Sequence, residues 1–116
     1  MAFKLIKRDR MLVPVKGHFV DGDGGKERFD CKLVCNRIPQ SDVDKYVKSF
    51  ADTQVDRQSA TDFMRDKVTG WEGVQDADGV AVAFGPDALE EFLETPGVAM
   101  LAHTAYFESL GAKAKN

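Results

Sequence analysis

Residues 28–36 read Arg28-Phe29-Asp30-Cys31-Lys32-Leu33-Val34-Cys35-Asn36. Phe29, Cys31, Leu33 and Cys35 fall on one side of a two-residue repeat. Arg28, Asp30, Lys32 and Asn36 fall on the other, with Val34 the exception. A period of two marks a strand with one face in a core and one in water. Residues 11–20 carry the same pattern, with Val13, Val15 and Phe19 alternating with Pro14, Lys16 and His18. Pro14 lacks the amide hydrogen that a central strand needs, so this strand belongs at a sheet edge. Between the two lies Asp21-Gly22-Asp23-Gly24-Gly25, a strong turn signal. A β-hairpin is expected.

After Ile38-Pro39 the period becomes helical. Ser41 is the expected N-cap, with Asp44 three residues on as a short capping box. Val43, Tyr46, Val47 and Phe50 then give one apolar face of a helix running to about Ala51. Thr53 to Gln58 is a polar linker. Ser59 caps a second helix, with Asp62 at N3 and Ala60, Phe63, Met64 and Val68 inside it, and Gly70 is the expected stop. Trp71 to Phe84 reads as a short hairpin or extended loop closed by Asp76-Ala77-Asp78-Gly79. Pro86 at the first helical position opens a third helix through about Glu94. Thr95 as N-cap and Pro96 open a fourth, ending before Gly111. The fold class is α+β: one domain over residues 1–116, an N-terminal β-hairpin followed by about four helices, with residues 1–10 and 112–116 as flexible ends. Val15, Phe29, Leu33, Val47, Phe50, Phe63, Trp71, Phe84, Leu89, Phe92 and Leu101 are the expected core.

Hydrophobic residues make up 43% of the 116, enough for one modest core, and the formal net charge is −3. Nucleic acid as main partner needs a basic excess that is missing here. The charge is unevenly spread. Residues 1–40 balance at +4 and residues 76–116 at −5. A chain polarised in this way can stack head to tail, with Arg8, Arg10 and Lys16 facing Asp87, Glu90, Glu91 or Glu94 of another copy. No run of about 18 apolar residues exists to cross a membrane, and no apolar signal core follows the basic N-terminus, so a cytoplasmic protein is expected.

Signals for chemistry are weak. A calcium loop starting at Asp21 needs a Glu at its twelfth position, where Lys32 stands, and a following helix where a strand is expected. Cys31 and Cys35 on one strand lie about 13 Å apart, too far for a disulfide, and read as reduced, buried apolar groups. His18 falls on the polar face, opposite both cysteines, which rules out a Cys–His nucleophile. No zinc spacing and no phosphate-binding glycine loop is present. The chain is thus not expected to be an enzyme or to carry a cofactor or metal. The last helix is more informative. Val98, Leu101, Ala102 and Ala105 form one stripe, joined by Tyr106, and Met100, His103, Phe107 and Leu110 form another. Such a helix is either wholly buried or packs by one stripe and docks a partner by the other. Met100, His103, Tyr106, Phe107 and Leu110 are the candidate partner-binding residues.

Three pieces together resemble the tail assembly chaperones of long-tailed bacteriophages and prophages. The first is Phe29 to Ile38, a strand ending in Arg37-Ile38 before a proline. The second is Val68-Thr69-Gly70-Trp71-Glu72-Gly73-Val74-Gln75-Asp76-Ala77-Asp78-Gly79, followed by apolar residues to Phe84. The third is Pro86-Asp87-Ala88-Leu89-Glu90-Glu91-Phe92-Leu93 with Pro96-Gly97-Val98 and Ala105-Tyr106-Phe107. Gly85 departs from the pattern, where a Ser or Thr cap is expected. The resemblance implies a non-enzymatic protein of the infected bacterial cytoplasm, absent from the mature virion. It implies binding to the tape measure protein, recruitment of the tail-tube protein, and a homo-oligomer. Related phages make such a chaperone in two lengths by frameshifting, and Ala114-Lys115-Asn116 can be encoded by a slippery run. The competing expectations are a structural tail or head–tail joining protein retained in the virion, and a small cytoplasmic enzyme or metal-binding protein.

Overall fold

The structure is a computed structural model that describes residues 1–51 and 59–112, apart from the side chains of Phe50 and Ala51. Two strands, β1 (Arg10–Val20) and β2 (Lys26–Asn36), pair antiparallel from Arg10 opposite Asn36 to Val20 opposite Lys26. The turn is closed by the Asp21 amide on the Gly25 carbonyl at 2.8 Å. Helix α1 (Gln40–Ala51) follows, then α2 (Ala60–Lys67), β3 (Val68–Glu72), α3 (Pro86–Glu94) and α4 (Val98–Leu110). The sheet order is β1-β2-β3, so β1 with its Pro14 is an edge, as the missing amide requires. The fold is the expected α+β arrangement of an N-terminal hairpin and four helices, with a third strand added.

Alternation decides which face is covered. Met11, Val13 and Val15 of β1 and Cys31, Leu33 and Cys35 of β2 are all buried. The helices lie on that face. Leu12, Pro14, Lys16, His18, Arg28, Asp30 and Lys32 stand on the other, and all are exposed. The core is completed by Phe63 and Met64 of α2, Val68 of β3, Leu89 and Leu93 of α3, and Val98, Ala99, Ala102 and Tyr106 of α4. Full burial of side chains of this size contributes roughly 1.5–3 kcal/mol each. Gly17 permits one close approach. A Cβ there would stand 2.6 Å from the Phe29 ring and 2.9 Å from Leu101 Cδ1, so β1 presents bare backbone where α4 leans on the hairpin.

Several local expectations change. Gly70 does not end α2. It lies in β3 opposite Val34, and Val68, expected inside the helix, is the first residue of that strand. The Val68 amide still bonds the Met64 carbonyl, so helix passes into strand without an intervening loop. Ser41 is not the N-cap of α1. The Pro39 carbonyl accepts from the Val43 amide at 3.1 Å, which puts Ser41 inside the first turn. Thr95 ends α3 instead of starting α4, and its hydroxyl donates to the Glu91 carbonyl. Gly97, at φ 85°, takes the left-handed conformation that reverses the chain before Val98. Ser59 does cap α2, its Oγ accepting from the Asp62 amide at 3.1 Å, and Pro86 does open α3. Of the expected core, Val15, Leu33, Phe63 and Leu89 are buried. Phe29, Trp71, Phe84 and Phe92 are half-buried against it. Val47 at 60% and Leu101 at 41% exposure lie outside it, Leu101 with its Cδ1 against Gly17 of β1. The Phe50 side chain, the 53–58 linker and residues 113–116 fall outside the described residues.

Trp71 fixes the loop from β3 to α3. Its Nε1 donates to the Val82 carbonyl at 2.9 Å, and its ring meets Phe84 edge-on at 5.1 Å and Phe92 at 5.6 Å. The loop closes on itself through the Val82 amide on the Val74 carbonyl and the Val80 amide on Asp76 Oδ1. Trp71→Ala is expected to cost about 3 kcal/mol in chemical denaturation. A loss below about 1 kcal/mol would mean that the ring contributes no packing.

Candidate functional surface

Helix α4 buries Val98, Ala99, Ala102 and Tyr106 against the sheet and its neighbours. Tyr106 is the largest fully buried side chain. Its hydroxyl donates to the Asn36 carbonyl at 2.7 Å, at the end of β2. Burial raises its pKa to about 12, so it remains a neutral donor at any physiological pH. Tyr106 was expected among the partner-binding residues, and its complete burial removes it from that set. It is a core anchor.

The other four expected residues divide. Met100 is 61% exposed. His103 and Phe107 are half-buried in an aromatic cluster with Tyr46 of α1 and Phe63 of α2. Tyr46 stacks on Phe107 with ring centres 5.0 Å apart and an angle of 19°, while Phe63 meets His103 at 5.2 Å and 74°. Tyr46 Oη and His103 Nε2 lie 2.6 Å apart. Leu110 is half-buried in a cleft with Val43 and Phe107, between α1 and the end of α4, of about 300 Å3. Arg37 closes that end, its Nη1 donating to the Leu110 carbonyl at 3.1 Å. The apolar stripe thus runs from the cleft along α4 to Met100, while Leu101 leans on Gly17 of β1. Val47 is a further exposed apolar residue on α1. The sequence assigned Val47 to the core as part of one apolar face with Val43, Tyr46 and Phe50, and the structure leaves its side chain 60% exposed.

The charged candidates also separate. Glu90 is already bound within the chain. Arg65 Nη2 meets its Oε2 at 3.1 Å, Arg65 Nε contacts its Oε1, and Arg65 Nη1 holds Asp62 Oδ1 at 2.5 Å. Hydrogen bonding to Arg65 lowers the Glu90 pKa. Asp87, Glu91 and Glu94 are exposed on α3 without an ion-pair partner among the described residues. Arg8, Arg10 and Lys16 are exposed too. The Arg37 amide donates to the Asp9 carbonyl, so the basic segment leaves the body beside the C-terminal end of α4. The acidic α3 precedes the N-terminal end of α4. Arg8 and Arg10 therefore stand toward one end of that helix and the acidic α3 toward the other, about 20 Å apart along its axis at roughly 1.5 Å per residue, while Lys16, beside Gly17, lies near the N-terminal end.

Cys31 and Cys35 are buried and free, and burial pushes Cys35 to about 12, which keeps it a neutral thiol. His18 lies on the open face of the sheet, away from both. Among the described residues no three His, Cys, Asp or Glu side chains gather as metal ligands, and no helix is long and apolar enough to cross a membrane. No protein-family model matches the chain, and no curated sequence or solved structure is similar to it.

Burial lowers the His103 pKa from 6.5, because the aromatic cluster disfavours the charged ring. The neutral form is thus favoured in the folded state. Stability is fully present above pH 6.5 and is lost as pH falls through the lowered folded value, where the unfolded chain binds the extra proton. Urea unfolding at pH 8 and pH 5 is expected to show a smaller loss for His103→Gln than for the wild type. An equal loss would show that His103 titrates as freely folded as unfolded.

Proposed function

We propose that the chain is a non-enzymatic tail assembly chaperone of a long-tailed phage or prophage. In this reading it holds the tape measure protein, helps recruit tail-tube subunits in the bacterial cytoplasm, and is left out of the finished particle. The observation that carries the reading is the uncovered flank of α4. Met100 is 61% exposed on the same helical stripe as Phe107 and Leu110, which line a cleft with Val43. A tape measure helix exposes long apolar stripes, and a chaperone must cover them and later release them. A shallow surface built on a flexible Met adapts to many registers of such a stripe. Many weakly held copies along one long client give firm attachment in total. The family resemblance of the Gly70-Trp71, Asp76-Ala77-Asp78-Gly79 and Pro96-Gly97-Val98 order supports the same assignment.

In this role the chain self-associates in part through its basic N-terminal end and the acidic α3. Such exposed pairs are screened, so assembly weakens with added salt.

The reading is tested by co-expressing the chain with the long helical tape measure protein that this reading expects to be encoded near it. A soluble complex is expected, weakened at least tenfold by Met100→Glu, with circular dichroism unchanged because Met100 is 61% exposed. A client equally insoluble with and without the chain would contradict the chaperone role. So would stoichiometric amounts of the chain in purified particles.

A further inference from the structure

We propose that helix α1 is a lid over the client stripe of α4, and that an apolar helix of the client docks by displacing it. The client is that of the reading above, on which this step rests, while the lid is a property of the free chain.

Most of the stripe made by Met100, His103, Phe107 and Leu110 is roofed by α1. Tyr46 of α1 stacks its ring on Phe107, with centres 5.0 Å apart and planes at 19°. The same ring stands 5.5 Å from that of His103 and 5.7 Å from that of Phe63 on α2. Tyr46 Oη lies 2.6 Å from His103 Nε2. One turn earlier, Val43 shares the cleft at the end of α4 with Phe107 and Leu110. Of the four stripe residues Met100 is the one left in water, at 61% exposure, while the other three are half-buried. The present occupant states what the site fits. Val43 and Tyr46 are three residues apart and therefore share one face of a helix, so the stripe accepts the apolar edge of a helix. The client is a helix of that kind.

The body holds α1 less firmly than its other helices. Each of α2, α3 and α4 buries at least two side chains. None of the described side chains of α1 is buried: Val43, Tyr46 and Ser49 are half-buried, and the others from Gln40 to Lys48 are exposed. Gln40 Nε2 donates to Asp44 Oδ1 and the Ser49 hydroxyl to the Tyr46 carbonyl, bonds that lie within the helix and do not tie it to the body. The chain just before α1 is fixed, because Arg37 donates from its side chain to the Arg10 and Leu110 carbonyls and from its amide to the Asp9 carbonyl. Movement of α1 about Pro39 thus leaves the sheet and α4 in place. An element that buries so little opens at a lower free energy than the whole fold. The client competes with Tyr46 and Val43, so its apparent affinity is reduced by the fraction of chains that are open. The stripe stays covered until a client arrives, and Met100 gives it the first contact.

Hydrogen exchange with peptide mass spectrometry reads the lid in the free wild-type chain. A helix of twelve residues off its support does not keep its hydrogen bonds in water, so opening exposes the α1 amides. Protection over residues 43–49 is expected to be at least about a hundredfold lower than over residues 102–106 of α4. Tyr46→Phe keeps the ring and removes the hydroxyl. It is expected to lower protection in α1 roughly threefold to tenfold and to leave α4 unchanged. Tyr46→Ala is expected to remove protection from α1 alone, and to bind the co-expressed tape measure protein at least about tenfold more tightly than the wild type does. Equal protection of α1 and α4 in the wild type would overturn the lid, since the two would then open only together. So would a Tyr46→Ala chain that unfolds throughout, which would make α1 part of the core. A folded Tyr46→Ala chain that binds the client no more tightly than the wild type would overturn the competition. A client left insoluble by wild type and variant alike would contradict the chaperone reading instead, and exchange in the free chain would still decide the lid.

Discussion

The packing of α4 across the inner face of the hairpin is the constraint on which the rest depends. Ala99 and Ala102 are small enough to let the helix axis come close to the sheet, and Gly17 removes the one side chain that would hold it off. Tyr106 then spans the gap to the Asn36 carbonyl, which would otherwise lose its partner where β2 ends. The same ring meets Phe63 edge-on at 5.1 Å and 81°, so α2 is fixed by the helix that fixes the sheet. Arg37 bonds the Leu110 carbonyl and thereby ties the last turn of α4 to the chain that leads into α1. Sheet, α1, α2 and α4 share one set of contacts.

That arrangement sorts the surfaces. The buried side of α4 is committed to the core, and the side that carries Met100 is not. Charge is sorted along the same helix, with cations at the end where the N-terminal segment leaves and carboxylates at the end where α3 packs. The proposed chaperone role needs two kinds of contact, one with a long apolar client and one between copies. The apolar flank and the charged ends are different surfaces, so one contact does not exclude the other.

The hairpin was legible because period-two alternation over two long strands has few rival explanations, and Pro14 placed β1 at the edge. Ser59 and Pro86 were legible for a similar reason, since a cap and a proline act within a few residues. Gly70 was misread because a glycine after a helix-like run suits both a helix stop and a strand. What decided was pairing with Val34, 36 residues earlier, which local sequence does not carry. Thr95 was misassigned because a Thr-Pro-Gly step serves an ending helix as readily as a starting one, and the left-handed Gly97 settles it. On α4, Leu101 and Tyr106 could not be ranked by periodicity, because a helix apolar on most sides has no preferred face. The α1–α4 cleft was illegible altogether, since it joins residues from distant elements.

Methionine oxidation reads the central claim most directly, that the open flank of α4 is where the client binds. Met100 is exposed, while Met11 and Met64 are 8% and 0% exposed and serve as internal references. In the free chain, brief peroxide treatment followed by peptide mass spectrometry is expected to oxidise Met100 and spare the other two. With the tape measure protein bound, the account predicts that Met100 is protected. Unchanged oxidation of Met100 in the complex would contradict it.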